Sequence, residues 1–279
     1  MPDDDDVARF ESIQSRRQHK TDMWFTDEQL ADVAARYRGS FKTAPLSYAT
    51  VRDFCDSFEH LRPIATANGG PNTQRPWVLK AILAVVPPGS RVLEIGAGEP
   101  FIADILDRLG YEVWVVNPCD GTRNGSLEYE RFRDECPGVH FVRSHFGEHV
   151  LSAPPGGFDC IYSISVLDRL PHKVVEGVFA GMRKYLQPNG WSIHAIDHVC
   201  NGEHYEKLKW IVLCSGIDEI ELTQQLEQIE ADHETYYLSV ESHNRSHGPL
   251  SSGKFSEHGC VSVQMVSRNG VWSPLRCGK

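Results

Sequence analysis

Apolar residues in this chain recur first at helical spacing and then in an alternation of short runs and helical stripes. Thr26-Asp27-Glu28-Gln29 reads as a capping box opening a helix through about Arg36, with Leu30, Val33 and Ala34 on one face. Thr50 to Leu61 predicts a second helix, in which Val51, Phe54, Cys55, Phe58 and Leu61 share a face. Thr66 to Asn72 is a loop by its Gly, Pro and Asn content, and Trp77 to Val86 is a third helix closed by Pro87-Pro88-Gly89.

Beyond Gly89 the rhythm changes. Short apolar runs predict strands at Arg91–Ile95, Glu112–Val116, Val139–Val142, Phe158–Ile164 and Trp191–Ile196. Helical text lies between them at Pro100–Leu109, Ser126–Cys136 and Pro171–Leu186. In the last of these, Val174, Val175, Val178, Phe179, Met182 and Leu186 form the stripe expected to be buried, and Gln187-Pro188-Asn189-Gly190 is expected to end it. Strands alternating with helices imply right-handed crossovers and a parallel sheet covered on both faces. Helices from Glu203 to Cys214 and Glu219 to Ala231 then break the rhythm, and strands at Thr235–Val240 and Cys260–Val266 follow without a helix between them. Such a pair is expected to run antiparallel at the sheet edge.

Composition narrows the function. The chain has 279 residues, 41% hydrophobic, with 28 Lys plus Arg against 38 Asp plus Glu and a net charge of −10. That field repels phosphate backbones, so no nucleic-acid partner is expected. No apolar stretch approaches a membrane span, and the acidic, then basic start has no apolar segment of a secretory signal. Residues 1–22 are expected to be a disordered or mobile arm, 23–88 a helical cap and 89–279 the α/β domain. Eight cysteines without a CxxC pair read as free thiols of a cytoplasmic protein.

The chemistry concentrates in Val92-Leu93-Glu94-Ile95-Gly96-Ala97-Gly98-Glu99-Pro100, a strand, a Gly-rich turn and a helix start. Gly96 and Gly98 allow a tight turn and close approach of a ligand, and Pro100 suits the first helical position. Residue 101 is Phe, so the dinucleotide fingerprint lacks its third Gly, and no Gly-Lys-Ser/Thr follows to make a P-loop. The text resembles the first motif of the class I S-adenosylmethionine-dependent methyltransferases, Asp/Glu-x-Gly-x-Gly. Phe158–Leu167 looks like that family's fourth strand, and Leu186-Gln187-Pro188-Asn189-Gly190-Trp191 is similar to its lead into the fifth. The resemblance covers about residues 72 to 268.

The resemblance implies a Rossmann-like, seven-stranded, mostly parallel sheet with an antiparallel terminal hairpin, and S-adenosyl-L-methionine as cofactor. Glu94, Gly96, Ala97 and Gly98 would hold its amino-acid end, Ser144 and His145 would lie near the adenine, and Ser163 and Ile164 would flank the methionine moiety. The family places an acid at the end of the second strand to grip both ribose hydroxyls; here that place holds Asn117, with Asp120 nearby. An amide offers one oxygen and no charge. Asp168, Asp197, His198 and His204 follow the fourth and fifth strands, and His198 is the first choice for a general base, with Asp168 and His204 as further candidates. His194, His198 and His204, or His243, His247 and His258, could cluster, but no metal-binding spacing accompanies them. The expectation is O-methylation of a small molecule, a sugar or secondary metabolite. The alternative is a cofactor-binding regulatory or assembly subunit without turnover.

Overall fold

The computed structural model describes residues 25–66, 72–119, 129–147, 154–199, 205–238 and 259–269. The arm expected over residues 1–22, His204, Asp120 and the histidines at 243, 247 and 258 lie outside them. Helices α1 (Asp27–Tyr37), α2 (Val51–His60), α3 (Arg62–Ala65) and α4 (Gln74–Val85) come first in the chain, with a short strand β1 (Leu46–Tyr48) between α1 and α2. The alternating part follows as β2 (Arg91–Ile95), α5 (Phe101–Arg108), β3 (Glu112–Val116), α6 (Tyr129–Glu135), β4 (His140–Val142) and β5 (Phe158–Ile164). A 3-10 turn (Leu167–Arg169), α7 (His172–Tyr185), β6 (Leu186–Val199), α8 (Tyr205–Cys214), α9 (Glu219–Ala231), β7 (Tyr237–Leu238) and β8 (Cys260–Arg268) complete it.

Among the described residues the sheet has eight strands, in the order β1-β8-β6-β5-β2-β3-β4 with β7 also paired to β8. The β2–β3, β2–β5, β3–β4 and β5–β6 pairs are parallel, whereas β8 runs antiparallel to β6, β1 and β7. The topology is that of a Rossmann-like α/β sheet. Its order reverses between β2 and β5, the switch point where open sheets leave a crevice at the carboxyl ends of their strands.

Alternation along each strand sends side chains to two cores. One face carries Val92, Val113, Tyr162, Ile193 and Ala195 against α1, α3, α4 and α5. The other carries Leu93, Ile95, Ile161, Ile196 and Val263 against α7, α8 and α9. The N-terminal helices therefore share a core with the sheet. They are tied to one another by Lys80 of α4, whose buried ammonium meets Asp56 of α2 at 2.5 Å and lies over the Tyr37 ring of α1.

Three local expectations are corrected. The strand β1 adds an eighth member to the sheet, pairing Leu46 with Met265 and Tyr48 with Val263. The helix ends at Tyr185, as expected, but the strand expected from Trp191 begins at Leu186, so that Gln187-Pro188-Asn189-Gly190 lies inside β6, where the pairing with β5 jumps from Phe158↔Leu186 to Cys160↔Trp191. The extra residues bulge there, with Asn189 at φ +64°. On α2 the apolar stripe is not the buried one: Ser57 is buried, while Val51 and Phe58 are each 41% exposed. Val174 of α7 is likewise on the outer side, at 40%.

Candidate active site

The turn after β2 forms the floor of the crevice. Gly96 holds φ +71°, a conformation side-chain-bearing residues rarely adopt, and a Cβ added there would sit 3.0 Å from Val166. Gly98 needs no such angle, yet a Cβ on it would project into open space. At Gly98 the main chain is thus bare toward open space, whereas Val166 packs against it at Gly96. An apolar recess adjoins, with about 240 Å³ of space including the part open to solvent. Ala97, Pro100, Asn117, Cys119, Tyr129 and Phe132 are among its walls. It lies beyond the ends of β2 and β3, with apolar walls.

Glu94 anchors the turn from beneath. It is buried, and its register partner Tyr162 on β5 donates a hydrogen bond to it at 2.9 Å. The backbone N–H of Ala103 also donates to it, which caps α5, whose first flanking residue Pro100 makes no side-chain cap. Burial pushes the Glu94 carboxyl up to about 7, against the Tyr162 hydrogen bond, the Arg75 charge and the Ala103 N–H. Arg75, in the first turn of α4, stacks on Phe101 at 5.1 Å and faces both Glu94 and Glu99. Glu99 in turn pairs with Arg131 of α6 at 3.2 Å, linking the turn to the helix that walls the recess.

On the other side of the turn, α4 reaches into the crevice with Gln74. Its amide donates to Asp197 Oδ1 at 2.9 Å and its carbonyl accepts from the Ser165 hydroxyl. Ser165 follows β5 in the left-handed conformation, φ +52°, and its N–H bonds Ala195 of β6. The carboxyl ends of β5 and β6 and the start of α4 are therefore joined by one polar cluster. Gln74 and Ser165 were not legible as functional residues; no sequence signal beyond a position at a helix start or strand end marks them.

The remaining expected residues fall as follows. Asn117 is buried at the end of β3, its amide donating to the Ala97 carbonyl and its oxygen accepting from Cys119 N–H at 2.9 Å. Ser144 is half-buried and His145 exposed beyond β4, where the Ser144 hydroxyl bonds the His145 carbonyl. Ile164 ends β5 on the α4 face. Ser163 points to the opposite face and is fully buried, 2.8 Å from His194 Nδ1. His194 Nε2 lies 2.6 Å from Ser192, whose hydroxyl donates to the Met182 sulfur. Ser163 and Ser192 thus bond opposite ring nitrogens, one as donor and the other as acceptor according to the imidazole tautomer. Burial pushes the imidazole down to about 3, so it stays neutral. His198 lies four residues, two strand repeats, beyond His194 on this same buried face, whereas Asp197 faces the crevice. Asp168 sits in the 3-10 turn, where Lys207 of α8 donates to its carbonyl. Among the described residues no group of three His, Cys, Asp or Glu is arranged to hold a metal, and no helix is long and apolar enough to cross a membrane. The described cysteines at 55, 119, 136, 160, 214 and 260 are free thiols.

A Rossmann-like sheet with a glycine turn at its switch point defines a nucleotide-cofactor protein, and its order and turn are those of the class I methyltransferases. A family model described as "Methyltransferase domain" matches residues 73–235, more than half of the chain, and the chain belongs to that family. Its cofactor is S-adenosylmethionine. The chain is also 30% identical over 132 residues to a protein-L-isoaspartate O-methyltransferase of Stenotrophomonas maltophilia. That match covers 46% of this chain and 56% of the relative, so the chain spans little more than half the relative's length. Among solved structures it is similar to geranyl diphosphate C-methyltransferase of Streptomyces coelicolor, at 10% identity and TM-score 0.44, covering 86% of this chain and 98% of that one. It is also similar to a Haemonchus contortus phosphoethanolamine N-methyltransferase, at 19% identity and TM-score 0.42, covering 71% and 53%.

Proposed function

We propose that this chain transfers the cofactor methyl to a hydroxyl of a small molecule, a sugar or secondary metabolite, in the cytoplasm. The observation that carries the reading is the Gly96–Gly98 turn, bare at Gly98 and set between an apolar recess and a polar cluster. Gly96, Ala97, Gly98 and the Glu94 anchor beneath them would hold the amino-acid end of the cofactor, with the base toward the recess and Ser144 and His145. S-adenosylmethionine supplies a methyl on a positively charged sulfur, already activated for displacement. The protein's task is then alignment, exclusion of water and removal of the acceptor proton.

The helical segment 23–88 caps the acceptor side in this reading, with Gln74 as its contribution to the crevice. An acceptor hydroxyl needs a nearby proton acceptor. Asp197, oriented by Gln74 on the crevice face, is supported by geometry ahead of His198, which is buried on the far face. Asp168 and His204 remain the further candidates. The Stenotrophomonas relative is named for transfer to oxygen, which accords with an oxygen acceptor.

One observation favours a second reading, a cofactor-binding subunit without turnover: both halves of the Asn117 amide are engaged by the protein's own main chain. Calorimetry with S-adenosylhomocysteine, followed by transfer of labelled methyl to a panel of hydroxyl compounds, separates the two. Binding with transfer is expected, and Asp197→Asn should slow transfer about a hundredfold with cofactor affinity little changed. Binding without transfer to any acceptor would favour the subunit; no binding at all would remove both readings.

A further inference from the structure

Asn117 stands where a ribose ligand is expected, and its surroundings argue for another role. The residue is 4% exposed. The amide nitrogen donates to the carbonyl of Ala97, at the heart of the glycine turn. The amide oxygen accepts from the N–H of Cys119, two residues on, at 2.9 Å. These partners fix the orientation of the amide, because turning it over would set donor against donor and oxygen against oxygen. The segment it grips is conformationally costly: Cys119 holds φ +48°. Arg143 of the next strand end donates to the Cys119 carbonyl at 3.3 Å, and Asn117's own N–H bonds Val142 at 3.1 Å. Ala97, Asn117 and Cys119 all line the recess.

We propose that Asn117 is a positioning residue, a brace that holds the Ala97 turn and the Cys119 turn at a fixed separation across the mouth of the recess, and that it does not serve as the ribose ligand. An aspartate could not do this. It would keep the acceptor for Cys119 N–H but lose the donor to Ala97 and set a negative oxygen against that carbonyl. The departure from an acid at this place is thus required by the local main chain. The proposal rests on the cofactor reading of the turn.

The two roles predict opposite signs for one substitution. A ribose ligand improves on Asn117→Asp, because a carboxylate accepts from two hydroxyls; a brace is broken by it. Calorimetry with S-adenosylhomocysteine on the full chain is expected to show affinity for Asn117→Asp reduced by about tenfold or more, the loss that goes with a buried group left unpaired. The same factor is expected with analogues lacking the ribose 2′- or 3′-hydroxyl, since the loss does not pass through the sugar. Tighter binding by Asn117→Asp, or a loss confined to the intact ribose, overturns the proposal. Wild-type protein gives a second test that needs no variant. By NMR the Asn117 side-chain amide protons should exchange slowly in the free protein and change little when S-adenosylhomocysteine is added. Fast exchange that slows with ligand alone overturns the brace. If wild-type protein binds no S-adenosylhomocysteine, the cofactor reading fails, and amide exchange in the free protein still decides the role of Asn117.

Discussion

The two faces of the sheet each bury a polar chain beside β5, and they handle it in different ways. On the α4–α5 face, Glu94 is held by Tyr162, Ala103 N–H and Arg75, and that chain of contacts continues through Glu99 to Arg131 at the recess wall. On the α7 face, Ser163, His194 and Ser192 close on one another and on Met182, away from the crevice. The first holds an acid whose charge is disfavoured by burial beneath the glycine turn; the second satisfies neutral groups within the core. A buried acid beside the turn holds the start of α5 through the Ala103 N–H, whereas a buried histidine bonded at both nitrogens links two neighbouring strands.

Acid should expose the contrast most strongly. His194 is held near 3 against an ordinary 6.5, so the unfolded chain binds the extra proton between those values. Stability is then complete above pH 6.5 and lost as pH falls toward 3, by up to about 5 kcal/mol. Denaturant melts of His194→Gln should lose that dependence, at a cost of about 1–3 kcal/mol at neutral pH. Glu94 acts in the opposite sense. With its carboxyl near 7 against an ordinary 4.5, the folded state holds the extra proton. Stability therefore falls as pH rises from 4.5 to 7, by up to about 3 kcal/mol, and Glu94→Gln should abolish this slope. The two groups oppose each other between pH 4.5 and 6.5, so wild-type melts should be nearly flat there and each variant should uncover the other group's slope.

Binding sharpens the comparison further. Gly96→Val imposes a left-handed angle on a branched residue and meets Val166, so calorimetry should show affinity for S-adenosylhomocysteine reduced at least about a hundredfold. Ser192→Ala, on the closed face, should leave that affinity unchanged. The smallest effect on stability is expected from Glu99→Gln: its partially exposed pair with Arg131 contributes about 1 kcal/mol or less, and less in high salt. A loss of several kcal/mol in a melt of that variant would contradict this assignment.

The periodic parts of the fold were legible in the sequence. Phe158–Ile164 and Glu219–Ala231 have the expected bounds, and Thr26 closes the capping box it predicts. Elements whose stability comes from distant partners were not. Leu46-Ser47-Tyr48 is too short to show alternation, and what makes it a strand is Met265 and Val263, more than two hundred residues away. The stripe on α2 misleads because Asp56 and the Asp53 carbonyl meet Lys80 and Ser57 is buried, which leaves Val51 and Phe58 outside. In the site, Gly96 was legible because a backbone angle selects glycine. Gln74 and Ser165 act through three-dimensional convergence of a helix start and two strand ends, which no local pattern encodes. His198 differed from Asp197 by one position along a strand, and one position changes the face.

The outer edge of β8 is covered by two pieces of chain laid end to end: β1 beside Val263 to Met265, and β7 beside Cys260 and Val261. The segment matched to the methyltransferase family, residues 73–235, contains none of β1, β7 and β8. Trimming the polypeptide to that match would strip β6 of its neighbour and offer a naked ladder of peptide groups to any passing molecule. The stretch recognised by comparison is thus shorter than the stretch whose strands complete the sheet.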